Sequence, residues 1–270
     1  MVTGTIDPYA RFEPTSPRQF LYGLNPLAKI VAVLPAIVLL VFVRDLATPA
    51  AFLVLSYSIL LVGARIPLHT AALLFGALPL GIVVIGIGFS IWVDAGLVAD
   101  SIPIVSIGGW MLYSGALTIG FATALRLGAI VALALIGGLT TTGPDLVRSS
   151  VQQLRVPYRI GYTALAAFRF VPRFGYELSV IRAAHRVRGH HGGRGPFARI
   201  ARGSGYVVPL LASGIRHAER VALAMDSRAF GAHPTRTERH LVPLRRRDGV
   251  FVVLMLAASA AILLIFPSLP

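Results

Sequence analysis

WMLYSGALTIGFATALRLGAIVALALIGGL, residues 110–139, runs for thirty positions with a single charge, Arg126. A bilayer's hydrocarbon core needs about 20 mostly apolar helical residues to cross it. The stretch therefore predicts a membrane span, either one long tilted helix or two pieces hinged near Arg126. The sequence changes character immediately after it. TTTGPDLVRSSVQQLRVP (140–157) opens with cap-like Thr and Gly and then offers Leu146, Val147, Val151 and Leu154 as a short apolar face.

Four further apolar runs lie at about 28–43, 48–64, 70–93 and 249–266. The first two are short and joined by RDLATP, which predicts a helical hairpin. The whole chain is 56% hydrophobic and 13% charged, with a mean hydropathy of +0.76. A water-soluble domain carries nearer a quarter charged residues. The fold class expected is an all-α integral membrane protein with about five transmembrane helices and an insert of about three amphipathic helices. The expected organisation is a cytoplasmic N-terminal segment (1–27), four spans (28–139), a cytoplasmic region (140–248), and a last span with the C-terminus (249–270). Asp7, Glu13 and several prolines precede the first apolar run. That is unlike a secretory signal, so the run is read as a retained span.

Charge is concentrated in one place. Residues 144–249 hold 19 of the 25 Lys and Arg residues, 6 of the 11 acids and six of the seven histidines. The positive-inside rule places this region in the cytoplasm, although it weakens for long loops. The loop at 94–109 has Asp94 and Asp100 with no Lys or Arg and is read as external. The 65–69 loop, with Arg65 and His69, is read as internal. Five spans and an internal N-terminus satisfy all three placements. Within the insert, Ala167, Val171, Phe174, Leu178 and Ile181 repeat at helical spacing, as do Leu211, Ile215, Ala218, Ala222 and Met225. Pro209 is expected in the first turn of the latter helix, with breaks at 156–157 and 189–205.

Several chemistries are excluded. There is no cysteine and only one lysine, Lys29, in LNPLAKI, so a Walker A loop is absent. No H-E-x-x-H or G-x-S-x-G occurs. The spans are read as carrying no internal acid and one charge, Arg126. A coupled secondary permease usually places an ionisable group near the midplane, so that alternative is disfavoured. Arg126 is read as snorkelling rather than as half of an ion pair. His190 and His191 are adjacent and lack companion ligands, so no metal or cofactor is expected. No recognisable nucleic-acid-binding motif accompanies the arginines. A membrane-surface protein whose basic helices bind anionic lipid remains the other alternative.

Two segments share a form. IRAAHRVRG (181–189) and RVALAMDSRAFG (220–231) each end an amphipathic helix with small residues around an arginine, Arg188 and Arg228, forty positions apart. Small side chains let a helix end enter a groove. A guanidinium presents five donors in a rigid fork to carboxylates or carbonyls. Arginine near a helix C-terminus also complements the dipole, and one instance would favour that plainer reading. The pair favours docking to protein partners.

At these residues the sequence resembles the transmembrane T component of energy-coupling factor (ECF) ABC transporters, which import vitamins and transition-metal ions in prokaryotes. LNPLAKI (24–30) is similar to that family's N-terminal Leu-Asp-Pro-Arg-Thr-Lys-Leu segment, and the two arginine segments are similar to its coupling-helix signatures, each ending Ala-Arg-Gly. Here the triplets are Val187-Arg188-Gly189 and Ser227-Arg228-Ala229. The resemblance implies a non-catalytic subunit of the cell membrane. Two cytoplasmic ABC ATPases would dock on these triplets, and one membrane-embedded, substrate-binding S component would pack on a platform of Leu178, Ile181, Leu211, Ile215 and Met225. ATP hydrolysis would belong to the partners, and so would the choice of substrate.

Overall fold

The computed structural model describes residues 19–94, 96, 98, 101–107, 110–188 and 195–266. They form two compact units, and the chain passes between them at 141/142 and again at 242/243.

The first unit contains the apolar helices. A 3-10 turn, Phe20–Gly23, leads into α1 (Pro26–Phe42), and α2 (Ala47–Gly63) follows. Helix α3 (Leu68–Ala72), a π turn (Leu73–Ala77) and α4 (Leu78–Trp92) run on as one rod. Helices α5 (Ser114–Thr140) and α9 (Arg246–Ile265) complete the set. Leu68–Trp92, Ser114–Thr140 and Arg246–Ile265 are long and apolar enough to cross a membrane. Helices α1 and α2 are apolar but have 17 residues each. At the rise of an α-helix they reach about 25 Å, a little short of the hydrocarbon thickness. Asp45 starts α2: its carboxylate accepts from the Thr48 N–H and hydroxyl, both at 2.8 Å.

The core of this unit is built from Ala32, Ala36 and Leu40 of α1, Phe52 and Leu60 of α2, Leu133 and Ile136 of α5, and Met255 of α9. Leu80, Val84, Val253 and Leu254 point outward and are exposed. Helices apolar on both faces suit a lipid surround.

Helix α5 lies close against α4 along a seam of small residues. Ile82, Gly86 and Ser90 are buried on α4, and Gly120, Ala124 and Gly128 are buried on α5, each set at four-residue spacing. A Cβ built on Gly120 would stand 2.2 Å from Ser90 Oγ and 2.6 Å from the Gly86 carbonyl oxygen. One on Gly128 would stand 2.5 Å from Ile82 Cδ1. Small residues let backbones approach where lipid supplies no hydrophobic drive for helix association.

The ends of α1 and α5 cap one another. Lys29, in the first turn of α1 and 1% exposed, donates to the Thr140 carbonyl at 2.8 Å and to the Thr140 and Thr141 hydroxyls at 3.0 and 3.2 Å. In return, Arg126 of α5 donates through Nη1 to the Val41 carbonyl at 3.3 Å. Each cation meets the carbonyl-rich, negative end of the opposing helix. One expectation is corrected here. Arg126 is not the one charge inside a span, because Lys29 is within α1. Among the described residues Arg126 has no ion-pair partner. Asp248 ties a further pair of ends: its carboxylate accepts from the Asn25 N–H at 2.8 Å and the Arg245 N–H at 2.6 Å.

The span read over 110–139 is also corrected at its start. Trp110–Tyr113 forms β2, antiparallel to β1 (Pro103–Ile107), with Ile107 opposite Trp110. Helix α5 begins at Ser114 and runs unbroken through Arg126. Aromatic residues and the Gly108-Gly109 pair between the strands in sequence suit a hairpin better than a helix.

The second unit holds α6 (Gly143–Gln153), α7 (Tyr158–Val187) and α8 (Pro196–Asp226). Thr142 caps α6, accepting from the Asp145 N–H at 3.2 Å. Gly161 of α7 lies against α6, where an added Cβ would stand 2.2 Å from Val151. The second helix of the insert does not start at Pro209. It starts with Pro196 in its first turn, and Pro209 lies inside it. Residues 196–205 are therefore helical rather than part of a break, and Gly203 and Gly205 are accommodated as helix-interior glycines at about 1 kcal/mol each.

Two substitutions test the first unit. Gly120→Val should destabilise it by about 1–3 kcal/mol through overpacking at the seam. Lys29→Met should cost roughly 1–3 kcal/mol by stripping the buried Thr140 carbonyl of its donor. Thermal unfolding of the purified protein in detergent reads both.

Candidate docking tips and the arginine-lined cavity

Helices α7 and α8 pack as an antiparallel pair. His185 meets Tyr206 edge-on at 5.2 Å, and Gly214 faces Phe174. Phe170 stacks on His217 with ring centroids 4.4 Å apart. Farther along, Phe230 meets Tyr158 at 5.7 Å and Tyr162 at 6.4 Å. Arg188 thus follows the C-terminal end of α7, while Arg228 lies beside the N-terminal turns of the same helix. By helical rise the two arginines stand on the order of 40 Å apart, at opposite ends of the hairpin.

The first tip is described through Arg188. Helix α7 ends at Val187, which is 89% exposed, and the Arg188 N–H donates to the Ala184 carbonyl at 3.1 Å. Gly189, His190 and His191 lie outside the described residues. Among the described residues no group of three or more His, Asp or Glu is placed to hold a metal ion.

The second tip is a complete Schellman turn. The Phe230 N–H donates to the Met225 carbonyl at 3.0 Å, and the Ala229 N–H to the Asp226 carbonyl at 2.9 Å. This geometry puts Ala229 at φ 53°, in the left-handed region. The Ser227 hydroxyl turns back to the Ala224 carbonyl at 3.1 Å, leaving Arg228 exposed at the apex.

The five apolar residues expected to form one platform are divided. Leu211 and Ile215 are exposed on α8, Leu178 and Ile181 are half-buried on α7, and Met225 lines a cavity. The face of α8 turned toward α7 carries Gly214 and His217 instead.

That cavity, about 860 Å³, was not anticipated from the sequence. Helices α6, α7 and α8 and the extended segment 231–240 form its walls, which carry Arg148, Arg169, Arg173, Arg228, Arg236 and Arg239. Glu238 is the one carboxylate among the lining residues. The Tyr162 hydroxyl donates to Glu238 at 2.8 Å, and Arg236 lies 4.2 Å over the Tyr162 ring. Burial pushes the Tyr162 phenol above its ordinary pKa, and the Glu238 carboxylate adds to the shift.

Side chains fasten the extended segment by its backbone. The Gln152 amide donates to the His240 carbonyl at 2.8 Å and accepts from the Val242 N–H at 2.9 Å. Gln153 donates to the Val242 carbonyl at 2.8 Å, Tyr158 to the His233 carbonyl at 2.6 Å, and Arg159 to the Gly231 carbonyl. Residues 231–242 form a strap leading from the Arg228 tip toward the last helix. GAHPTRTERHLV has neither helical nor strand periodicity, so no pattern in the sequence announced it.

The family model described as CbiQ, cobalt transport protein, matches residues 17–239. The energy-coupling factor transporter transmembrane protein EcfT of Bacillus selenitireducens is 26% identical over 252 residues, covering 90% of this chain and 91% of that protein. EcfT of Thermotoga maritima is 30% identical over 165 residues, covering 58% of this chain and 60% of that one. A putative ABC transporter ATP-binding protein of Bifidobacterium longum is 26% identical over 271 residues, which take in 97% of this chain but 34% of the longer protein.

Ala229→Gly should stabilise the protein by about 1 kcal/mol, because glycine adopts the left-handed conformation without the Cβ penalty. A rise in the unfolding midpoint checks this; an unchanged or lower midpoint would contradict the strain at Ala229.

Proposed function

From the premise that this chain belongs to the CbiQ cobalt transport protein family, we propose that it is the energy-coupling scaffold of an ECF-type ABC importer. It links two cytoplasmic ATPases to a membrane-embedded S component that captures a vitamin or a transition-metal ion. The observation that carries this reading is the placement of Arg188 and Arg228 at opposite ends of one helical hairpin. A spacing on the order of 40 Å suits two separate globular partners better than one small ligand. The similarity to EcfT proteins over most of their length supports it. So does the stretch, as long as this chain, inside a protein named for ATP binding.

In this reading Val187, Arg188 and Gly189 seat in a groove of one ATPase, and Ser227, Arg228 and Ala229 in a groove of the other. Each guanidinium fork clamps carboxylates or helix-end carbonyls. Leu178, Ile181, Leu211, Ile215 and Met225 supply apolar surface for the S component, with Leu211 and Ile215 the most available because they are exposed. The basic segment 140–248 and the N-terminal segment 1–27 face the cytoplasm, 28–139 spans the bilayer four times, and 249–270 crosses once more. The chain itself hydrolyses nothing.

The decisive variant is Arg188→Glu with Arg228→Glu. ATPase copurification and substrate uptake should both fall at least about 100-fold, while membrane insertion is kept, because each reversal replaces a five-donor fork with an acceptor-only carboxylate at the contact. Retained uptake in the double variant, or uptake by this chain alone in proteoliposomes, would overturn the reading.

A further inference from the structure

The arginine-lined cavity beside the second tip is larger than a docking turn needs. Its walls bring six arginines together with Glu238 as the sole acid among them. Glu238 is engaged by the Tyr162 hydroxyl, and Arg148 is paired with Asp145 at 2.9 Å. Among the described residues neither Arg228 nor Arg239 has an ion-pair or side-chain hydrogen-bond partner, and both are exposed. So much like charge around one concavity creates a strong positive potential that favours an anionic occupant.

We propose that this cavity receives a carboxylate-rich segment of the ATPase that seats on the Arg228 tip. The proposal rests on the coupling-scaffold reading and adds Arg239, Arg236 and Arg169 to the contact. Three features favour a peptide over a free phosphate. The space, at about 860 Å³, lies near the upper end of ligand pockets, which run to about 1,000 Å³, and far exceeds one phosphate. Tyr158, Tyr162 and Phe230 line the cavity with the arginines, and tyrosine and arginine are enriched among the residues that carry the binding energy of protein interfaces. The chain's own Glu238 already places a carboxylate in the cavity, where it accepts from the Tyr162 hydroxyl. Guanidinium forks bind carboxylates bidentately, so Arg228 and Arg239 are suited to additional acids from a partner.

The test uses the full chain in detergent and a labelled hexaglutamate peptide. The peptide should bind the wild-type protein, weaken with salt, and displace bound ATPase. Arg239→Glu should weaken peptide binding and ATPase capture by about tenfold. Arg216→Glu makes the same charge change on α8 outside the cavity and should weaken either less than about twofold. Equal losses in the two variants would reduce the effect to general charge and overturn the proposal. So would no loss in Arg239→Glu, or saturable binding of inorganic phosphate or ADP that Arg239→Glu abolishes while hexaglutamate fails to bind. The peptide measurement needs no ATPase. If reversing both tip arginines left the ATPases attached while peptide binding still required Arg239, docking through the two arginine tips would fall and the acidic-segment pocket would stand.

Discussion

A helix end leaves its last carbonyls without intrahelical donors, and meeting that need organises the apolar unit. Helix α1 has 17 residues and stops early. Its last turn finds a donor in Arg126, whose side chain crosses from α5 to Val41. Helix α5 ends at Thr140, and its final carbonyl finds Lys29. Each helix supplies the cation that the other's end requires, so neither end can be shifted without exposing the other. The same turn of α1 holds Asn25, whose N–H binds Asp248 at the start of α9. The chain's exit from the first unit after α5 and its return before α9 are therefore both moored to one end of α1. The close approach of α4 and α5 through Gly86, Gly120 and Gly128 completes this arrangement.

The polar unit follows a different logic. Its helices are long and loosely apolar, and much of their Leu, Ile and Val surface is exposed. What it fixes firmly is geometry at the ends. Thr142 caps α6, a Schellman turn closes α8, and glutamine and tyrosine side chains hold the strap by its backbone. Such a unit keeps its tips and its connections in place while leaving its flanks free for other proteins.

Much of this was legible in the residues. Apolar length announced the spans, and the spacing around Leu178 and Ile181 announced a long helix, although Ala167 and Val171 of the face it marked are exposed. Each arginine of the pair follows the end of a long helix. Other features were hidden for physical reasons. Lys29 sits in an apolar run, and only the fold shows that its ammonium reaches Thr140 rather than solvent. Trp110–Tyr113 is as hydrophobic as the helix after it, so hydropathy could not separate strand from span. Pro209 looked like a helix start because proline is favoured there. It is tolerated mid-helix instead, in α8, which packs along α7. The cavity arises from four segments scattered over about ninety positions, and no local pattern encodes such convergence.

The hairpin of α7 and α8 also has a mechanical meaning. Its ends lie on the order of 40 Å apart, so a tilt of about 7° moves one end by about 5 Å relative to the other. Rings clasp the hairpin near its middle, where Phe170 lies between Phe174 and His217. Each helix carries an internal proline, Pro172 and Pro209, and so lacks one backbone donor along its length. The rings brace the hairpin beside the rung that Pro172 weakens, so its stiffness there rests on side chains as well as on backbone bonds.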